Sequence, residues 1–299
     1  MNTKFALCFF PLMFLSLFIK AQIPVNVNDT AYLFIEGYKH GQIQWQQSSD
    51  TATWNDISGA NINNYPLFPV YSAYFRAKVN SGTCNTNYSQ TLKIELSNFQ
   101  CGDTLIDYRD GQKYPTVLIG TQCWFAKNLN IGEKIDHGPE YQTDNGIIEK
   151  FCYNNDENNC DVYGGLYTWT ETMAYDTTEG SRGICPSGWH VPSDQEWIDL
   201  ELALGMDIGV AQYYNTWRGT DQGTQLKVDG TSGYEALLSG NAIPGGYFNS
   251  MNQYEFMHSS SHYGVSAAWR RCVRAGDPTV GRWNTFTQNY GLSIRCLKN

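Results

Sequence analysis

The chain is short of positive charge, of long apolar runs and of extended helical periodicity, and each shortage removes a class of function. Its 20 Lys and Arg against 29 Asp and Glu leave a formal net charge of -9 at pH 7. A phosphate backbone is held by clustered cations that displace counterions, so nucleic acid is a poor match as a partner. The arginines at 270, 271, 274 and 282 form a local basic cluster, which reads either as a binding edge or as the mixed-charge surface of a strand pair. Beyond Ile19 no apolar run is long enough to span a bilayer, so no transmembrane segment is expected in the mature chain.

What is present begins with a leader. Lys4, the mostly apolar run from Phe5 to Ile19, then Lys20, Ala21 and Gln22 read as a secretory signal peptide over residues 1–21, with cleavage after Ala21. Ile19 is an unusual residue for its position, which leaves a retained anchor as the alternative. Cys8 falls too early in the run for lipidation. Loss of Lys4 and Lys20, with no acid removed, takes the charge from -9 to about -11. The remaining cysteines, at 84, 101, 123, 152, 160, 185, 272 and 296, are even in number, and an exported chain makes disulfides their default state. Roughly a hundred complete pairings are open to such a set. Cys152 and Cys160 are the pair that proximity favours.

Residues 22–97 read as an all-β domain. In Tyr71 to Val79, Ala73, Phe75, Ala77 and Val79 face one way and Tyr74, Arg76 and Lys78 the other. Leu92, Ile94 and Leu96 repeat the alternation, SGTCN at 81–85 reads as a turn, and Trp45 within Ile43 to Gln47 is the expected core plug. The stretch QWQQSSDTATWNDISGA, Gln44 to Ala60, followed by YSAYFRAKV, resembles the immunoglobulin-like modules of secreted Bacteroidetes proteins. That resemblance implies a sandwich acting as a spacer. Trp54-Asn55-Asp56 matches a calcium tripeptide of sugar-binding lectins, yet its place before a turn in this first domain makes coincidence the preferred reading.

From residue 98 the composition turns to Gly, Asn, Tyr and Trp. Ser193 and Glu196 have capping-box spacing, Trp197, Leu200 and Leu204 share one face of a short helix, and Gly205 marks its end. Pro186, Gly188 and Pro192 shape the preceding turn, where Trp189 and Trp197 are expected to anchor a corner. His190 has no identifiable nucleophile beside it.

Four stretches in order, CGDTLIDYRDGQKYPTVLIGTQCWFAKNLN (Cys101 to Asn130), CYNNDENNCDVYGGLYTW (Cys152 to Trp169), GICPSGWHVPSDQEW (Gly183 to Trp197) and GLSIRCLKN (Gly291 to Asn299), resemble the Fibrobacter succinogenes major paralogous domain. The resemblance covers nearly all of residues 98–299. It implies an irregular α+β fold related to C-type lectins and formylglycine-generating enzymes, in secreted or surface proteins without a common activity. It also implies a Cys185–Cys296 disulfide, since lectin-like folds tie an early helix to the last strand. Met257 and His258 depart from the family outline, where Trp is usual before the serines, and this leaves the local surface and its ligand open.

Each chemical site has a plainer reading beside it. Asn154, Asp156, Asn158 and Asp161 supply oxygen donors suited to calcium, but the spacing is not that of a DxDxDG loop, and a disulfide-closed polar loop is preferred. No EPN or QPD tripeptide supports a calcium lectin, and no second cysteine near Cys272 supports a copper pair of the formylglycine type. Cys272 is therefore expected in a disulfide, or as a free thiol if another cysteine is unpaired. His258 and His262 need helical presentation to share zinc, and SSSHYG reads as a turn. Hydrolysis would need two of Asp103, Asp107, Asp110, Glu196 and Glu201 across a cleft at about 5–9 Å. Glu196 has a capping role, and Asp103 to Gly111 reads as a hairpin.

The resulting expectation is an immunoglobulin-like sandwich followed by a C-type-lectin-like domain, located outside the cell or on its surface. Its function is noncatalytic recognition of a glycan or surface protein through Tyr247, Tyr254, Tyr263, Trp269, Arg271 and Trp283. No cofactor is required, with calcium as a candidate. A structural surface or adhesin component is the alternative, and an enzyme of formylglycine-generating or hydrolytic type the weaker one.

Overall fold

The computed structural model describes residues 23–299 apart from 27–30, 36–37, 39–40, 68–71, 81–85, 98 and 108, with backbone alone at 23–26, 96 and 97. The leader, its cleavage point, Cys8 and the SGTCN turn with Cys84 lie outside the described residues. The protein is mostly β-sheet with few helices, and forms two compact units that divide between residues 98 and 99.

In the first unit the spatial strand order is Ile23–Asn26, Leu92–Ser97, Ala73–Asn80, Gln42–Ser48 and Asn55–Asp56, with Thr86–Tyr88 also paired to Ala73–Asn80. A second ladder joins Ala31–Leu33 to Tyr65–Leu67. The alternation along Ala73–Asn80 is borne out: Ala73, Phe75, Ala77 and Val79 are buried and the residues between them half-buried. Trp45 is fully buried, and its indole N–H donates to the Ile62 carbonyl at 3.0 Å, which satisfies the polar edge of the largest ring in this core. Asn55 and Asp56 form a short exposed strand in which the Asp56 carboxylate accepts from Gln46 Nε2 at 2.6 Å.

The second unit holds two larger sheets. One runs Trp189–His190, Leu297–Lys298, Gln122–Phe125, Lys113–Ile119 and Thr104–Ile106, so the last strand lies between an early hairpin strand and the Trp189 corner. Three disulfides form in this unit, Cys101–Cys123 and Cys185–Cys296 beside this sheet and Cys152–Cys160 closing the loop into the helix Glu157–Tyr163. The first was not anticipated, and the other two are as expected. Cys272 is a buried free thiol, the alternative to the disulfide that was the first expectation for it. Trp124, Trp189 and Trp197 are fully buried, and the Trp124 and Trp197 rings meet at 4.8 Å between centroids.

The second sheet runs Thr216–Arg218, Val280–Trp283, Ala267–Arg274 and Tyr254–Tyr263. SSSHYG therefore begins inside a strand rather than in a turn. A register shift between His258 and His262 absorbs the polar run, and Ser259, Ser260 and Ser261 are buried among backbone partners. The helix Asp194–Ala203 packs on the inner face of this sheet. Both halves of its capping box form, with Ser193 accepting from the Glu196 N–H and the Glu196 carboxylate accepting from the Ser193 N–H at 2.7 Å.

Candidate functional site

The two faces of the second sheet do different work, and strand register decides which residue serves which face. Residues directly opposite in an antiparallel ladder share a face. Met257 lies opposite Arg271, Arg271 opposite Arg282, and Val280 opposite Arg218, all toward the helix. There Arg271 donates to Glu201 Oε1 at 2.8 Å and to Asp194 Oδ1 at 2.5 Å, Arg282 donates to Asp194 Oδ2 at 2.5 Å, and Arg218 pairs with Glu201 at 2.7 Å. Burial works to raise the Asp194 pKa, and the Arg271 and Arg282 guanidiniums outweigh it, holding the carboxyl below its usual range. Glu201 and Arg271 have no exposed surface. Arg271 thus belongs to an interior ion network, which corrects its place among exposed ligand-binding candidates, and Glu201 is committed to the same network rather than to a cleft.

The outer face carries Tyr254 opposite Arg274, Phe256 opposite Cys272, Cys272 and Trp217 both opposite Gly281, and Arg270 opposite Trp283. Phe286 and Tyr290 join from the following segment. All six aromatic rings here are half-buried. They form an unbroken chain: Trp283 to Trp217 at 6.3 Å, Trp217 to Tyr254 at 6.3 Å, Tyr254 to Phe256 at 5.5 Å, Phe256 to Phe286 at 5.5 Å and Phe286 to Tyr290 at 4.1 Å between centroids. Two guanidiniums lie against it, Arg274 over Trp217 at 4.2 Å and Arg270 over Phe286 at 3.5 Å.

Gly281 makes room for the Trp283 ring. A Cβ at that position would fall 2.2 Å from Trp283 Nε1, so the indole rests where any side chain would stand. Beneath it, the Cys272 thiol is 1 % exposed, and burial pushes its pKa far up. It is a packing group, because the thiolate is the nucleophile and ligand form.

The anticipated residues divide among several places. Tyr254 and Trp283 lie on the aromatic face. Trp269 and Tyr263 meet at 5.5 Å on the opposite face of the sheet, where Trp269 also meets Tyr214 and Arg282. Tyr247 is 71 % exposed on a separate hairpin, Asn241–Ile243 with Tyr247–Asn249. Trp217, Phe256, Phe286 and Tyr290 were not anticipated, and Arg270 was expected only as one of a cluster of four arginines. The alternation of Tyr254 with Phe256, and of Arg270, Cys272 and Arg274, is the signal that marks two of these strands in the sequence.

Of the proposed calcium donors, Asn158 and Asp161 sit on a short helix, Asp156 is its extended N-cap and Asn154 has a left-handed backbone in the turn before it. Asp156 caps the helix Glu157–Tyr163 by accepting from the Asn158 N–H at 3.0 Å, and Asp161 is exposed. Among the described residues no three His, Cys, Asp or Glu side chains gather as a metal group. His258 is buried and His262 exposed, and both lie on one strand. Burial, then the Arg270 charge, pull the His258 pKa down to about 4 against the opposing hydrogen bond to Tyr167. His190 meets Glu196 at 3.0 Å and Asn299 at 2.7 Å, a contact that ties the corner to the chain end. Asp107 is paired with Arg109 at 2.6 Å and Asp103 accepts from the Gln100 N–H, within the hairpin that the sequence suggests.

A β-rich unit stapled by three disulfides, with a buried ion network on one side of a sheet and linked aromatic rings on the other, is the class of protein these features define. Residues 117–298 match the Fibrobacter succinogenes major domain, and the chain belongs to that family. Residues 19–98 match a domain of unknown function (DUF8696). No curated protein and no solved structure matches the chain.

Proposed function

We propose that this is an exported recognition protein whose second unit binds a glycan, without catalysis, on the face formed by Trp217, Tyr254, Phe256, Trp283, Phe286 and Tyr290. The observation that carries the reading is the unbroken chain of half-exposed rings laid on a sheet, since sugar rings present C–H faces that stack on such surfaces at low entropic cost. The groups that catalysis would call on are spent elsewhere: Cys272 is a buried thiol, Glu201 and Asp194 are neutralised by arginines, and Glu196 caps a helix. Export is supported by the signal-like leader and by the disulfides. Among the described residues no helix is long and apolar enough to cross a membrane.

In this reading the first unit is an immunoglobulin-like spacer, supported by its antiparallel strands around Trp45, and the second is C-type-lectin-like, supported by a last strand returned to the sheet of the first hairpin and tied by Cys185–Cys296. The test is a glycan array probed with wild type and with a Tyr254→Ala, Trp283→Ala double variant. Saturable binding that the double variant loses while keeping its melting transition is the expected result. Absence of binding to every glycan favours a structural surface component instead.

A further inference from the structure

The aromatic face holds a charge that its own protein leaves incomplete. Arg218, Arg271 and Arg282 each pair with a buried carboxylate, and Arg295 donates to Asn128 and to three backbone carbonyls. Arg270 differs. It is 4 % exposed, its Nη2 reaches only the Thr285 hydroxyl at 3.2 Å, and its Nε and Nη1 have no hydrogen-bond partner among the described residues. Burial lowers its pKa to about 10, which leaves it charged at neutral pH. A buried guanidinium with idle donors is costly, and an anion is the partner that would remove the cost.

Its surroundings say what kind of anion. Arg270 is the direct cross-strand partner of Trp283 on one side and of His258 on the other. The His258 Nε2 contacts the Tyr167 carbonyl at 2.8 Å, and a carbonyl only accepts, so that nitrogen carries the proton and Nδ1 is a bare lone pair. Nδ1 is buried and likewise unpartnered. Idle donors on a cation beside an idle acceptor match a ligand that offers an acid group together with a hydroxyl. Phe286, whose ring covers the guanidinium, comes from the segment after Val280–Trp283, which the Ala267–Thr287 bridge ties to the sheet, so access to Arg270 requires a rotamer change of this one ring and no opening of the strand ladder.

We infer that Arg270 reads the carboxylate of an acidic sugar whose ring stacks on the neighbouring Trp283, so the ligand of this face is a uronate-containing glycan. This rests on the glycan reading above. The test is an array of neutral, sulfated and uronate-containing oligosaccharides, each uronate printed beside its methyl ester, probed with wild type, Arg270→Gln and Arg270→Lys. Acidic members bound in preference to their esters, with a loss of about tenfold to a hundredfold in Arg270→Gln as expected for one charge-assisted contact, supports the inference. Equal binding of acid and ester by wild type overturns it and leaves the glycan reading standing. Binding confined to sulfated sugars also overturns it. No binding to any member removes both readings. Because the wild-type acid-to-ester ratio needs no variant, misfolding of an Arg270 substitution does not blunt the test.

Discussion

Replacement of Glu201 by Gln keeps the shape of the side chain and removes the charge that two buried guanidiniums share. Glu201 has no exposed surface, Arg271 lies at 2.8 Å and Arg218 at 2.7 Å, and the exposures of their side chains are 0 % and 1 %. Neither arginine can turn to water without leaving the sheet. With Glu201 gone, Arg271 retains Asp194, but Asp194 is already shared with Arg282, so one carboxylate is left to face three guanidiniums. Breaking a buried pair by removal of one partner costs about 3–5 kcal/mol, because the other charge stays buried and uncompensated. For a unit of residues 99–299, each kcal/mol is worth roughly 2–4 °C in melting temperature, so the fall should be about 6–20 °C. Thermal unfolding followed by near-ultraviolet circular dichroism, which reports the packed tryptophans, is the assay. A fall below about 2 °C would refute the argument that this network holds the helix Asp194–Ala203 to its sheet.

Loss of the Cys185–Cys296 bridge through a double alanine variant should cost about 4–5 kcal/mol, since the bond closes a loop with a sequence separation of 111; chemical denaturation with disulfides otherwise intact measures it. Cys272 should resist a thiol reagent in the folded protein at pH 8 and react at once in guanidinium chloride, whereas rapid labelling of the native chain would contradict its burial. His190 and Glu196 should act as a pH-bounded clasp. Burial alone would lower the His190 pKa, but the Glu196 hydrogen bond and charge raise it above 6.5; burial alone would raise that of Glu196, but His190 and Ser193 bring it below 4.5. The histidine contribution is full below 6.5 and lost as pH rises through its folded value, while the carboxylate contribution is full above 4.5 and lost as pH falls through its folded value. The stability gap between wild type and His190→Gln should therefore be widest between these limits and shrink on both sides, as pH-dependent urea melts would show.

Local features were legible in the sequence because their causes are local. The alternation of Ala73, Phe75, Ala77 and Val79 states a half-buried strand, Ser193 and Glu196 meet within one helical turn, and Cys152 and Cys160 are close enough to find each other. Features built from distant partners were hidden. Arg271 looks like any surface arginine until the fold brings it to Asp194 and Glu201, 77 and 70 positions away. The serine run at 259–261 reads as a turn because hydroxyls favour turns, and only the register shift in a ten-residue strand explains their burial. The asparagine-rich segment after Cys152 reads as a loop by composition, yet Asp156 starts a helix there by satisfying an orphan N–H. The aromatic face was half seen: Tyr254 and Trp283 stand out by type, whereas Trp217 and Phe286 join them only through strand order and the segment that follows.

Gly281→Ala probes the aromatic face most directly, because the added methyl displaces the Trp283 ring from a position 2.2 Å away and leaves the residues toward the helix in place. Affinity electrophoresis through gels loaded with an array-selected polysaccharide compares the two proteins at equal fold stability. Retardation of the wild type and free migration of the variant, with matching melting curves, is the predicted outcome. Equal retardation of both proteins would contradict recognition by a flat, glycine-supported indole.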